Sequence, residues 1–212
     1  MSERALPGPS GTRQDYMIFE LSRDELIQTF GEERVHQAPY EAAKAAGFSG
    51  EALEFLTTTG LPENEFVSFP EFDEAGSGFR PVSPVEHDRT WNLPAAAINW
   101  VFLGNFEISA VVADTRTGEL YQLAEGIMRP VPLHGDLSSL VFTITELSKI
   151  VGGLREEHED DEDDEELIEA LGESLNTLKD EIGDRDPRPF RDEHCEWVEI
   201  ITNIGAGLWG PG

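Results

Sequence analysis

Apolar positions fall into three regimes along the chain. In the first, Leu26, Ile27 and Phe30 make one face of a short helix that Ser22 and Glu25 cap and Gly31 stops. Leu53, Phe55 and Leu56 place a second helix over Gly50 to Thr58, before Gly60-Leu61-Pro62 breaks it. In the second regime the runs shorten and become rich in Val, Ile, Phe and Tyr. Glu65–Phe69, Ile98–Leu103, Glu107–Asp114 and Glu119–Leu123 read as strands separated by turn residues. The clearest pair is EISAVVADTRTGELYQLAE, a hairpin in which Gly118 supplies the positive φ and Asp114 an Asx cap. In the third, Leu140, Ile144, Leu147 and Val151 recur at three and four residues behind a cap at Asp136 or Ser138, and Gly152-Gly153 is expected to end that helix. Leu167, Leu171, Leu175, Leu178 and Ile182 form another stripe, and Glu193 to Ile204 a last helix bearing Trp197, Ile200 and Ile204, with Trp197 expected in the core.

Two helices, a run of strands and three helices predict a single α+β domain, with a central, mostly antiparallel sheet packed by N-terminal and C-terminal helices. Residues 1–15, with Pro7, Gly8, Pro9, Ser10 and Gly11, read as a flexible leader. The domain is then 16–212, interrupted by an acidic loop at 155–166.

Composition sharpens this picture mainly through charge. The 212 residues are 39% hydrophobic and include twelve Phe, enough for a real core. The formal net charge is −28, and ten of the eleven residues Glu156 to Glu166 are carboxylates. Without that run the remainder still carries −18. Such a field opposes nucleic-acid backbones and anionic membranes, so the expected macromolecular partner is basic, with no direct nucleic acid binding and no membrane. One cysteine, Cys195, excludes an internal disulfide framework. The first residues, MSERALPGPSGTRQDY, hold no apolar signal core, and a cytoplasmic location is expected.

Reactive chemistry is hard to find. GAGLWG (Gly205 to Gly210) matches G-x-G-x-x-G in letters, yet only Pro211 and Gly212 follow, so it opens no helix toward a pyrophosphate. Counting an EF-hand loop from Asp160 puts Glu165 where Gly is needed and Leu171 where Glu is needed. The five His are scattered at 36, 87, 134, 158 and 194, without zinc spacing. Ser77 in AGSGF lacks the first Gly of a nucleophile elbow. The expectation is a non-enzymatic protein with no catalytic residue, no metal and no cofactor.

The order of several short motifs resembles that of the SUKH superfamily, in particular its fourth family of bacterial immunity proteins. FLTTTGLPEN (Phe55 to Asn64) resembles its helix followed by GLP, and ELIQTFGEERV (Glu25 to Val35) is similar to its opening helix with a Phe-Gly step. ADTRTGELYQL resembles its Asp-x-x-Thr-Gly hairpin, and HGDLSSLVFTITEL its Asn-Ser-Ser-Leu helix start, with Asp136-Leu137 near where the family's Asn is expected. RDPRPFRDEHCEWVEIITNIGAGL is similar to its closing segment. The resemblance implies an α+β domain that binds and neutralises a bacterial toxin by stoichiometric occlusion, the toxin being a nuclease or nucleic-acid deaminase with a basic cleft. The alternative is a regulatory or scaffold domain of the same superfamily fold. Oligomeric state stays open.

Candidate partner-binding residues are Trp91, in the polar setting HDRTWNLP, and the run Glu156, Glu157, Glu159, Asp160, Asp161, Glu162, Asp163 and Asp164. Trp is enriched in binding hot spots, and its bland alternative is an edge residue covered by a loop. A block of like charges is first of all a self-repelling spacer, and it becomes a contact only if a basic cleft meets it.

Overall fold

The computed structural model describes residues 17–72, 78–82, 91–157 and 165–208, without the side chains of 154–157 and 165–167. Helix α1 (Arg23–Phe30) starts at the expected capping box. Ser22 Oγ accepts the Glu25 amide at 3.3 Å, and the Glu25 carboxylate accepts the Ser22 amide at 2.7 Å. These Ser22 contacts hold the Glu25 carboxyl below its ordinary range. Helix α2 (Tyr40–Ala45) has no sequence signature because only Ala43 of its residues is buried, leaving no apolar stripe. Helix α3 (Gly50–Glu54) widens into one π turn, Phe55–Thr59, closed by the Gly60 amide on the Phe55 carbonyl at 2.9 Å.

Gly60 is constrained twice. Its φ is +89°, and a Cβ there would meet the His36 carbonyl oxygen at 2.6 Å. That approach lets β1 (Val35–His36) pair antiparallel with β2 (Leu61–Pro62).

Strands β3 (Arg80–Pro81), β4 (Trp100–Asn105), β5 (Ser109–Asp114), β6 (Leu120–Ala124) and β7 (Val131–His134) form a five-stranded antiparallel meander in chain order. The Asp114–Gly118 hairpin has the expected chemistry. Asp114 Oδ1 accepts the Arg116 and Thr117 amides at 2.9 and 3.3 Å, and Gly118 takes φ +77°. Two expected strands are corrected. Glu65–Phe69 makes only a single bridge, Ser68 to Asn105, because the Asn64 side chain captures the Phe66 and Val67 amides at 2.9 and 2.8 Å. The run from Ile98 enters the sheet only at Trp100, after a 3-10 turn over Ala95–Asn99.

Alternation along the strands divides two cores. Val101, Leu103, Val111, Ala113, Val131 and Leu133 join the main core under the helices. Trp100, Val112 and Leu123 join a smaller cluster with Val82 and Ala97, against which Trp91, Leu93, Phe102 and Tyr121 pack.

Three helices follow: α4 (Leu137–Glu157), α5 (Glu165–Arg185) and α6 (Glu196–Gly205). Their buried stripes include the expected Leu140, Ile144, Leu147 and Val151, then Leu171, Leu175, Leu178 and Ile182, then Trp197, Ile200 and Ile204. Asp136 caps α4 by accepting the Ser139 amide at 2.9 Å. Contrary to expectation, α4 passes through Gly152-Gly153. Neither glycine takes the positive φ of a helix stop, and an interior Gly costs only about 1 kcal/mol relative to Ala.

The sheet and these helices meet at one buried polar chain. Trp197 Nε1 donates to His134 Nε2 at 2.7 Å, which places the ring proton on Nδ1. Nδ1 faces Ser139 Oγ at 2.9 Å, and the Ser139 hydroxyl donates to Asp186 Oδ2 at 2.7 Å. The Gly135 amide donates to the same oxygen at 2.6 Å, and Arg188 Nη1 to Oδ1 at 3.1 Å. Burial pushes the His134 pKa down and keeps the ring neutral. Burial alone would raise that of Asp186, but the His134 ring, the Gly135 amide and the Ser139 hydroxyl outweigh it and hold the carboxyl far below its ordinary range.

Two substitutions test these constraints. Gly60→Ala is expected to lose about 1–3 kcal/mol in urea unfolding. Asp186→Ala is expected to lose about 3–5 kcal/mol, because Arg188, Ser139 and the Gly135 amide are left without their acceptor; a smaller loss than at Gly60 would mean the polar chain is peripheral to stability.

Candidate functional site

Ser139, His134 and Asp186 bring together the three residue types of a hydrolytic triad, but the wiring is different. A nucleophilic serine gives its proton to histidine, and the carboxylate orients that histidine. Here the Ser139 hydroxyl donates to Asp186, His134 Nε2 is taken by the Trp197 indole, and all three side chains are sealed from solvent. Burial likewise pushes the Cys195 thiol up to about 12, far from a reactive thiolate. Among the described residues no group of three or more His, Cys, Asp and Glu side chains is placed to hold a metal ion. No helix among them is long and apolar enough to cross a membrane.

The surface offers more. The turn between β4 and β5 is pinned by Phe106, buried and edge-on to Trp197 with ring centroids 5.1 Å apart. With Phe106 drawn into the core, its neighbours Glu107 and Ile108 stay outside, and Ile108 is 70% exposed. The next residue, Ser109, turns inward and donates to the Glu196 carboxylate at the start of α6. Gln122 braces the same corner, accepting the Glu196 amide at 2.8 Å and donating to the His194 carbonyl at 3.3 Å.

Beside this turn lies a groove of about 850 Å³. One wall is the α6 face carrying Glu196, Glu199, Ile200 and Asn203, whose three- and four-residue spacing puts them on one side of the helix. The other walls are the Asn64–Ser68 segment, with Glu65, and the turn itself; Leu208, 75% exposed, closes the end. A second groove of about 340 Å³ shares Asn105, Phe106, Glu107 and Ile108 with the first and adds Trp91, Phe102, Leu123 and Glu125. Among the described residues five carboxylates border the two grooves and no Lys, Arg or His does. Burial, with Glu199 and Glu107 nearby, raises the Glu196 pKa above its ordinary value, although the Ser109 bond opposes the rise.

Trp91 therefore lies half-buried on the smaller core cluster while lining the second groove. Glu156 and Glu157 belong to the end of α4, at backbone level, and Glu159, Asp160, Asp161, Glu162, Asp163 and Asp164 lie outside the described residues. The relation of Trp91 to the acidic run therefore lies outside the described residues. Glu65, Glu107, Ile108, Glu199 and Leu208 were not singled out by sequence. The readable signal for part of this set was the polar face of the last helix, Glu196, Glu199 and Asn203, which adjoins the buried face of Trp197 and Ile204 along Ile200.

The family model described as SUKH-4 immunity protein matches residues 21–203. Neither the curated proteins nor the solved structures give a match.

The ionised form of Glu196 is disfavoured in the folded protein, so it lowers stability once the pH rises past the ordinary glutamate value of 4.5. Glu196→Gln is expected to raise the melting temperature relative to wild type at pH 8 and to leave it equal near pH 4. Scanning calorimetry at both pH values checks the sign; a deficit at pH 8 would show that the charge itself is needed there.

Proposed function

The chain belongs to the SUKH-4 immunity protein family, and we propose from that premise that it neutralises one basic protein toxin, a nuclease or nucleic-acid deaminase, in the cytoplasm by stoichiometric occlusion. It does so without turnover. Family membership carries the reading, and charge supports it. A net charge of −28 is the complement of an enzyme built to hold a polyanion. Complementary fields raise association rates by orders of magnitude and disfavour like-charged bystanders. A protein so charged has little electrostatic reason to meet nucleic acid itself, and its natural contact is the protein that does. Immunity needs only that the toxin's cleft or its approach be covered.

Titrating the purified chain against the protein encoded beside it tests this. Toxin activity is expected to fall linearly and vanish at about one equivalent, with affinity about tenfold or more weaker at 0.5 M than at 0.05 M salt. Inhibition at far below one equivalent would mean an enzyme, and full toxin activity at a large excess would remove the immunity role.

A further inference from the structure

We propose that the β4–β5 turn with its two flanking grooves is the face on which the basic partner docks, with Ile108 as the apolar contact and the carboxylates of Glu107 and Glu199 receiving its lysine or arginine side chains. This rests on the neutralising role given above and assigns it a surface.

Three independent features converge here. The first is an exposed apolar pair. Ile108 and Leu208 are 70% and 75% exposed and line the same groove, and an isoleucine held at the tip of a hairpin gains by being covered. The second is one-sided charge at short range: among the described residues Glu107, Glu125, Glu196 and Glu199 border the two grooves and no Lys, Arg or His does. Carboxylates placed side by side repel one another, and Glu199 and Glu107 add to burial, the larger cause, in raising the Glu196 pKa; an incoming guanidinium or ammonium relieves that repulsion. The third is shape. Two grooves flank the exposed Ile108, and apolar and acidic side chains share their walls, a mixture found in protein interfaces, with Trp91 as a rigid aromatic wall.

Another groove is as acidic, lined by Glu20, Glu25, Glu51 and Glu54. Its Glu25, however, is committed to the Ser22 capping box, and none of the exposed large apolar residues borders it. It therefore serves as the electrostatic control.

The test measures affinity of the full chain for the toxin encoded beside it, at low and high salt, with melting temperatures confirming that each variant folds. Ile108→Ser is expected to weaken binding about tenfold at either salt. Glu107→Lys with Glu199→Lys is expected to weaken it about a hundredfold at low salt and much less at high salt. Ile98→Ser, at an isoleucine 73% exposed elsewhere, and Glu20→Lys with Glu54→Lys, which changes the net charge equally, are expected to stay within about threefold. Equal losses for both charge pairs would reduce the effect to bulk charge and overturn the docking face. Wild-type affinity in Ile108→Ser and in the Glu107/Glu199 pair would overturn it as well, while leaving the immunity role standing. If the unaltered chain fails to bind that toxin, the neutralising role falls first, and the docking face with it.

Discussion

The structure hangs on one carboxylate. Asp186 sits fully buried after the end of α5 and collects the Gly135 amide behind β7, the Ser139 hydroxyl in the first turn of α4, and the Arg188 guanidinium. Through Ser139 it orders His134, and through His134 the indole of Trp197 on α6. One acceptor thus fixes the sheet's last strand and three helices relative to one another. An ionised group in that place is tolerable only because every lone pair has a use, and among the described residues no buried side-chain nitrogen or oxygen is left without a partner. Arg188 carries the chain outward to Glu119, which accepts from Tyr121. The ring of Tyr121 in turn stacks on Trp100 on the other face of the sheet.

Much of this fold was legible in the sequence wherever local chemistry and burial agree. Ser22 with Glu25, Asp114 with Gly118, and the stripes through Leu140 and Leu171 each say the same thing at the level of propensity, capping and packing. The failures lie where one side chain overrides a pattern. Asn64 diverts an apolar run from the sheet, α2 folds without an apolar stripe, and α4 ignores two glycines that do not turn left-handed. His134 and Asp186 could not be paired by inspection, because their contact joins positions far apart in the chain, and no periodicity encodes it. The proposed docking face was less legible than the fold. Net charge predicts a basic partner without placing it on the surface, and the grooves are assembled from Glu65, Glu107, Glu125, Glu196 and Glu199, which look like any other surface acids until the chain closes.

Strong acidity is compatible with a stable fold because the repulsion is spread over the exterior, while the interior is held by apolar packing and a few saturated polar bonds. Surface charge of one sign keeps the protein apart from its own copies and from polyanions. It also steepens the salt response of any encounter with an oppositely charged molecule, because screening weakens the long-range field more than the close contacts.

The walls of the larger groove come from Asn64–Ser68, the β4–β5 turn and α6, three stretches far apart in sequence. They stand together only when Phe106 and Phe66 pack on Trp197 and Glu196 closes on Ser109. A ligand of this groove is therefore a ligand of the native state alone, and its binding shifts the unfolding equilibrium in proportion to the logarithm of its concentration. A cell holding the complex would keep this chain folded under heat or proteolysis that depletes the free form. Toxin and neutraliser would thus be linked in lifetime as well as in contact.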